Sequence, residues 1–336
     1  MKINKIIFNC FLAVVLTGLV FTACKKTHES TLVNTTDDTD TQSIIALDEL
    51  EVNTEFDQAV NDAITASSIS STTSGDTAAS STTGNILLTT ISGAVIDTNQ
   101  INMGIVKITY YGKNAENTKG RTGEVKIKHA VSNGKIIPWK TQGANATITF
   151  TTYEVIFLDT VKKSIWLDGN CSVTNISGGL LKNIANPLLV PGDSLVDKVR
   201  AELFFTRNDN ITVIKKWTWH FNQLRVFNLN GTTVTATIKG DTAINNNNNV
   251  VTWGTTRFDQ NFYTSITTPI LQNISGSTFL YDPLKGRKVI LGITEPITIT
   301  YGVDQQGSPA TTGNPYGYII TWTNSGGQAK QAVVSY

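Results

Sequence analysis

The sequence predicts a mainly β fold, a large twisted antiparallel meander sheet or sandwich that is preceded by one amphipathic helix. After residue 85, apolar and polar residues alternate in many short runs, as they do in half-buried strands. Turn-forming pairs such as Asn230-Gly231 separate these runs. Only 16% of the 336 residues are charged. Thr, Asn, Ser and Gly supply much of the remaining polarity, and these residues suit strand faces and turns.

Three segments show the alternation most clearly, and each places its apolar side chains on one face. The residues that share this face are Val125, Ile127 and His129; Val234, Ala236 and Ile238; and Tyr318, Ile320 and Trp322. Polar residues between them favour antiparallel pairing with one solvated face. We expect hairpin loops at Asp168-Gly169, at Asn230-Gly231 and at residues 325–327. Residues 245–249 and 180–199 are expected loops, and the second of these is a possible boundary between two halves of the β body, residues 85–336.

Residues 43–66 have the spacing of an amphipathic helix, with Asn53 or Thr54 as a possible cap. We expect this helix to cover a sheet edge or to bind a partner. Residues 67–84 are rich in Ser and Thr and predict a linker. The apolar stripe of the helix consists of Val52, Phe56, Ala59, Val60, Ala63 and Ile64.

The N-terminus has the pattern of a signal peptide over residues 1–23. Lys2 and Lys5 precede an apolar run over residues 6–20, which is too short to be a convincing transmembrane span. Residues 20–24 then place small side chains directly before Cys24.

That junction resembles the bacterial lipobox, which implies cleavage before Cys24 and acylation of its thiol and its new amino group. Several acyl chains make a durable membrane anchor. An ordinary secreted protein is the alternative interpretation. Lys25 rather than Asp follows the cysteine, which resembles outer-membrane sorting, on either the periplasmic or the exposed face. Residues 24–42 are polar and predict a flexible tether.

The β body contains a Gly-Arg strand over residues 120–127 and a Thr-rich strand over residues 146–155, with further features at 167–175, 267–270 and 301–302. In these features it resembles a group of uncharacterised Bacteroidota-type outer-membrane lipoproteins. Such chains often have cysteines in the C-terminal part, whereas this chain has none after Cys171. The resemblance implies a cell-envelope location and a β architecture, and it assigns no catalytic residue.

The segment over residues 217–221 is the strongest candidate for ligand binding. On a strand, Trp217, Trp219 and Phe221 share one face, while Thr218 and His220 share the other. Aromatic side chains can stack on sugar rings, so Trp217 and Trp219 are candidate ligand-facing residues. The same row also fits a sheet core. His220 lacks the neighbouring ligands that a metal site needs.

Other candidate chemistry is dispersed along the chain. Glu154, Asp159 and Asp168 are candidate acids for glycoside hydrolysis, which needs two carboxylates across a cleft. Residues 304–308 form a polar loop with too few acids for an EF-hand calcium site. Cys171 lacks a visible activating partner, so we expect it to be buried. The known nucleotide-binding, hydrolase and zinc-protease motifs are missing from the sequence.

These observations favour a lipid-anchored envelope protein that acts as a non-catalytic binding or structural module without a cofactor. Its expected partners are the membrane, through the lipid on Cys24, and a glycan or an envelope protein. A formal net charge of +1 gives no reason to expect nucleic acid. A hydrolase acting on glycans and an envelope assembly or lipid-carrier factor are the alternatives.

Overall fold

The computed structural model describes residues 41–73, 91–114, 117–158, 163–184, 194–208, 216–230, 233–274, 282–311 and 314–336. Within these ranges the chain is mostly β, with one helix that precedes a large antiparallel sheet. The predicted fold class is therefore confirmed. The alternation of apolar and polar residues was sufficient for this prediction because it is a local property of each strand.

Helix α1 spans Thr41–Thr73. Its 33 residues give it a length of about 50 Å. The predicted apolar stripe is buried, and so are residues on other faces, including Asp48, Glu49 and Asp57. The helix is therefore enclosed rather than laid along a sheet edge, and it is not amphipathic in the usual sense of having one solvated face.

Both predicted helix boundaries are corrected by the structure. Asn53 and Thr54 lie inside the helix and donate side-chain hydrogen bonds to carbonyl oxygens four residues earlier, so neither is a cap. Residues 67–73 are helical instead of belonging to a linker. The hydroxyls of Ser67 and Ser68 also donate hydrogen bonds to the carbonyl oxygens four residues earlier. Both side chains are buried, and these hydrogen bonds together with tertiary packing outweigh the weak helix propensity of serine. The rest of the predicted linker, residues 74–84, lies outside the described residues.

The described part of the chain contains seventeen strands, numbered in chain order. They are β1 Ala94–Asp97, β2 Ile105–Lys113, β3 Lys119–His129, β4 Val131–Ser132, β5 Lys135–Ile136, β6 Ala144–Phe157, β7 Lys163–Asn175, β8 Ser194–Asn208, β9 Lys216–Asn230, β10 Thr233–Gly240, β11 Thr242–Ile244, β12 Asn247–Thr255, β13 Asn261–Asn273, β14 Pro283–Leu291, β15 Ile297–Val303, β16 Gly317–Thr323 and β17 Ala329–Ser335. Two 3₁₀ turns, Ile101–Met103 and Leu181–Asn183, lie between them.

Fifteen of these strands form one antiparallel sheet, in which thirteen follow the meander order β1-β2-β3-β6-β7-β8-β9-β10-β13-β14-β15-β16-β17. Strand β12 pairs with β9 beyond the end of β10 and also with β13, while β11 pairs with β12. Strands β4 and β5 form a separate small hairpin. Because neighbours in sequence are mostly neighbours in space, short connections suffice for nearly the whole sheet.

Two of the three predicted hairpin loops are confirmed, and one is wrong. Strands β9 and β10 pair from Asn230 and Thr233 onward, and residues 325–327 connect β16 to β17. Asp168-Gly169 instead lies inside β7, where the register with β6 shifts. Gly169 has a φ of 127° at this bulge. Glycine with positive φ is common in bulges as well as in turns, so the residue pair alone does not distinguish them.

The possible division near residues 180–199 is not a break in the sheet. Strand β7 pairs with β8 from Ser164 opposite Asn208 to Asn175 opposite Asp197, so the sheet is continuous across this connection. Residues 194–199 belong to β8. The asparagine run is also partly strand, because residues 247–249 begin β12.

The sheet curls around α1, because strands from both of its ends contact the same helix. Tyr110 of β2 donates a hydrogen bond to Asp62, and Lys288 of β14 forms an ion pair with Glu49. Phe56 packs between these ends, with its ring centroid 4.3 Å from that of Phe221. The sheet face that contacts α1 is called the concave face here, and the opposite face is the convex face.

The acidic residues of α1 are paired with cations from the sheet and from one loop. All six charged residues of the helix are acidic, and five of them form ion pairs with sheet or loop cations. These pairs are Asp48 with Arg207 and Arg257, Glu49 with Lys288, Glu51 with Arg207, Glu55 with Lys119, and Asp62 with Arg121. These pairs give each of the five carboxylates a counter-charge where the helix meets the sheet.

Candidate functional site

The predicted ligand-facing pair lies on the concave face and is buried. Trp217 is 9% exposed and Trp219 is 4% exposed. The Trp219 ring packs 4.8 Å from that of Phe262, and its Nε1 donates a 2.8 Å hydrogen bond to the carbonyl oxygen of Thr255. The prediction that these tryptophans face a ligand is therefore wrong, since their row forms sheet core against α1.

The opposite face of the same strand leads to a different candidate site. Alternation along β9 turns Thr218 and His220 to the convex face, and both side chains are partly exposed. Strand β12 places Trp253 directly opposite His220. Their rings stack with centroids 5.3 Å apart and an interplanar angle of 15°.

These two rings border an open groove of about 440 Å³ that crosses β6 to β9 and β12. Its polar lining comes from adjacent strands at nearly one level of the sheet. The register pairs Asn170 with Glu202 and Glu202 with His220. The groove is lined by Thr147, Asn170, Cys171, Ser172, Arg200, Ala201, Glu202, His220, Phe221, Asn222 and Trp253.

The charges in the groove are exposed and partly balanced. The Glu202 carboxylate lies 3.9 Å from Nδ1 of His220, with side-chain exposures of 63% and 34%. Arg200, two residues before Glu202 on β8, is also exposed. A contact between two exposed side chains contributes little to stability, so both side chains are available to a ligand at small cost.

Two further groove residues are already oriented by neighbouring side chains. Asn170 Oδ1 accepts a hydrogen bond from Thr149, and Ser172 Oγ accepts one from Asn145, each at 2.9 Å. The Asn170 amide nitrogen can then donate toward the groove. The arrangement offers stacked rings, one carboxylate, one guanidinium and several neutral polar groups, which together suit a hydroxyl-rich ligand.

Cys171 contributes to the groove lining but is buried, as the sequence predicted. Burial raises the pKa of its thiol far above the ordinary value, with smaller and partly opposing influences from Arg225 and Asp197. A thiol that stays protonated at neutral pH is a poor nucleophile. Cys171 therefore acts as a small apolar residue of the sheet.

The candidate hydrolytic acids do not face each other across a cleft. Glu154 lies on the convex face and accepts a 2.7 Å hydrogen bond from Nε1 of Trp166. Asp168 lies on the same open face, 3.9 Å from the amino group of Lys216. Asp159 lies outside the described residues. Within the described ranges, these positions provide no pair of acids for the two-carboxylate mechanism.

The polar loop over residues 304–308 is organised by its own hydrogen bonds. Asp304 Oδ1 accepts backbone hydrogen bonds from Gln306 and Ser308, so this carboxylate closes its own turn. His129 is buried, and burial lowers the pKa of its imidazole. Across the part of the chain that the structure covers, His, Cys, Asp and Glu nowhere gather in the threes that a metal ion needs.

The groove was missed from the sequence because its second ring comes from a distant strand. His220 could be placed on the polar face of β9 by alternation, but Trp253 lies 33 residues later in the chain, a separation that follows from the numbering. Only the pairing of β12 with β9 brings the two rings together, and pairing between strands distant in sequence is not visible in a local pattern.

Cys24, the predicted lipidation site, lies outside the described residues. Among the residues that are described, no helix combines the length and apolar composition that crossing a membrane requires. Comparison with protein-family models, with curated proteins and with solved structures finds no match for this chain.

Proposed function

We propose that this chain is a lipid-anchored protein of the bacterial outer membrane that binds a glycan without catalysis through the convex groove. The observation that carries the proposal is the stacked pair of His220 and Trp253 beside exposed polar groups of neighbouring strands. Sugars present apolar C–H faces together with hydroxyls. The stacked rings can pack against the C–H faces, and Asn170, Arg200 and Glu202 can form hydrogen bonds with the hydroxyls.

The N-terminal pattern supports the location. A signal peptide that ends at a lipobox-like junction would leave Cys24 as the first residue of the mature chain, with a polar tether before α1. The resemblance to Bacteroidota-type lipoproteins agrees with this placement. Mass spectrometry of the N-terminal peptide from native membranes tests it, and an unmodified Cys24 in that peptide would contradict it.

The two alternative functions have weaker support. A glycan hydrolase needs a pair of carboxylates facing across a cleft, and Glu154 and Asp168 are instead engaged on an open sheet face. A lipid carrier needs an empty apolar concavity. In the described residues the concave face is filled by α1, so acyl chains could enter only if the helix left.

The binding test compares Trp253→Ala with the wild type on an array of bacterial, plant and host glycans. We expect the wild type to bind a subset of these glycans and the variant to lose most of that binding, because one ring of the stacked pair is removed. Tyr111→Ala is the matched control, since Tyr111 is a 67% exposed aromatic residue on β2, outside the groove. Retention of glycan binding by Trp253→Ala, or absence of binding by the wild type, would overturn the proposal.

A further inference from the structure

The convex face carries a second exposed aromatic residue that the groove does not include. Trp166 on β7 is 46% exposed, although tryptophan is usually well buried. Its Nε1 donates a 2.7 Å hydrogen bond to Glu154, which holds the indole in one orientation on the sheet surface. An exposed indole that is fixed in this way is suited to stacking, because little side-chain freedom is lost on binding.

Phe204 of β8 connects Trp166 to the groove. Trp166 lies opposite Thr206 and Asp168 lies opposite Phe204, so Phe204 is the diagonal neighbour of Trp166 on the same face. The register therefore carries the aromatic surface from β7 onto β8. The amino group of Lys216 lies over the Phe204 ring, 4.3 Å from its centre, and this exposed side chain must move aside for a sugar to stack there.

The same diagonal continues to the stacked pair. Phe204 lies opposite Thr218 of β9, which puts His220 one further step in the same direction, and Trp253 lies opposite His220 on β12. The four rings thus cross four neighbouring strands along one path, which runs diagonally from Trp166 to His220 and then straight across to Trp253. From strand spacing and rise, the line is about 20 Å long, which exceeds a single sugar and suits a short chain of them.

Charge along this line is mixed and only partly compensated. Asp168 lies near Lys216, and Arg200 lies two residues from Glu202 on β8, whereas Glu154 accepts a hydrogen bond from the uncharged indole of Trp166. The carboxylates repel a polyanion and the Lys and Arg side chains repel a polycation, so the surface best complements a neutral hydroxyl-rich polymer.

We infer that Trp166, Phe204, His220 and Trp253 form one extended binding track for a neutral polysaccharide, with the groove at one end. This inference rests on the proposed function, because it lengthens the proposed glycan site. It predicts that affinity rises with the number of sugars until the chain covers the track, as more rings become engaged.

The test measures affinity for a series of one to six sugars derived from cellulose, xylan and starch, using the full chain and single variants. We expect Trp166→Ala to lower affinity for the hexasaccharide about tenfold and to leave the disaccharide unchanged, because only the longer chain reaches Trp166. Trp253→Ala should lower affinity for both, and Tyr111→Ala for neither. Unchanged melting temperatures establish that the variants fold.

The outcomes separate the two claims. Equal affinity for short and long oligosaccharides, or a Trp166→Ala protein that binds the hexasaccharide like the wild type, would overturn the track while leaving the groove. Failure of the wild type to bind any oligosaccharide would overturn both. Tighter binding of a polyanionic series, such as oligogalacturonate, would overturn the neutral ligand class.

Discussion

Asp57 of α1 is a carboxylate enclosed between the helix and the sheet. Burial raises its pKa to about 6, and this effect outweighs the opposing influences of Arg225 and of a hydrogen bond with Gln223. Burial also raises the pKa values of Glu51 and Asp62 on the same helix. The folded chain therefore keeps protons that the unfolded chain has already released at the same pH.

This proton retention makes stability fall as pH rises through the pKa of the folded state. The Asp57 contribution is full below the ordinary carboxyl value of 3.8, and it is lost as pH rises through about 6. In Asp57→Asn, we expect the free energy of unfolding relative to the wild type to increase by about 2 kcal/mol between pH 4 and pH 7. Urea unfolding at several pH values measures it.

Asp168→Asn provides the control for that experiment, because it removes a carboxylate whose side chain is 64% exposed. Its stability difference from the wild type should change much less over the same pH range. A difference for Asp57→Asn that is constant from pH 4 to pH 7 would show that the buried carboxylate does not control this dependence.

Gly123 permits a bulge between β3 and β6, where the register shifts opposite Thr152 and Tyr153. Its φ is 100°, and a Cβ atom there would lie 2.1 Å from the carbonyl oxygen of Thr152. We expect Gly123→Ala to lower the free energy of unfolding by about 2 kcal/mol or more, because strain and backbone collision act together.

Gly134→Ala separates strain from collision in that prediction. Gly134 also has a positive φ, 72°, but a Cβ atom there meets nothing within 4 Å. Its replacement should cost about 1 kcal/mol, from backbone strain alone. Equal losses for the two variants in urea unfolding would mean that the close approach at the bulge is unimportant.

Helix α1 and the sheet are joined by buried ion pairs that are costly to break singly. Arg121 is 2% exposed, donates a 2.8 Å hydrogen bond to Asp62, and donates another to the carbonyl oxygen of Ser92. Removing one charge leaves its partner buried and uncompensated, whereas replacing both can be nearly neutral.

Arg121→Met should therefore lower the free energy of unfolding by about 3 kcal/mol, because the buried Asp62 carboxylate loses its counter-charge. Adding Asp62→Asn should recover part of that loss, since no isolated charge then remains. Denaturant unfolding of the two single variants and the double variant measures the coupling. Additive losses would contradict a direct interaction between these two side chains.

The strands could be predicted from the sequence better than the helix could. Val125 and Ile127 alternate with polar residues, and this pattern survives in any sheet register. The helix end was missed because Ser67 and Ser68 have weak intrinsic propensity, and the packing that compensates for it is tertiary. Trp217 and Trp219 were placed correctly on one face, but the enclosed position of α1 decides that this face is interior.

In the whole molecule, α1 supplies the interior that a single curled sheet cannot provide alone. Phe56 packs against Phe150 and Phe221, which lie on strands three places apart in the sheet order. Without the helix, the apolar concave face would be open to water.

Deletion of residues 41–73 should therefore give a protein that aggregates or binds a hydrophobic dye and unfolds without cooperativity. A synthetic peptide of residues 41–73 added in trans should reduce dye binding, since its acidic side chains retain their partners on the sheet. Cooperative thermal unfolding of the deletion variant without the peptide would show that the sheet is stable without α1.

The claim that the convex face binds the glycan while the concave face packs on α1 can be tested by covalent footprinting. Mass spectrometry measures the labelling of side chains on each face, with and without a glycan that binds. The concave face is closed by α1, so a bound glycan should protect the convex residues Trp253, His220 and Trp166 and leave Trp217 and Trp219 unchanged. Protection that falls elsewhere, with the convex residues labelled equally in both samples, would contradict the account.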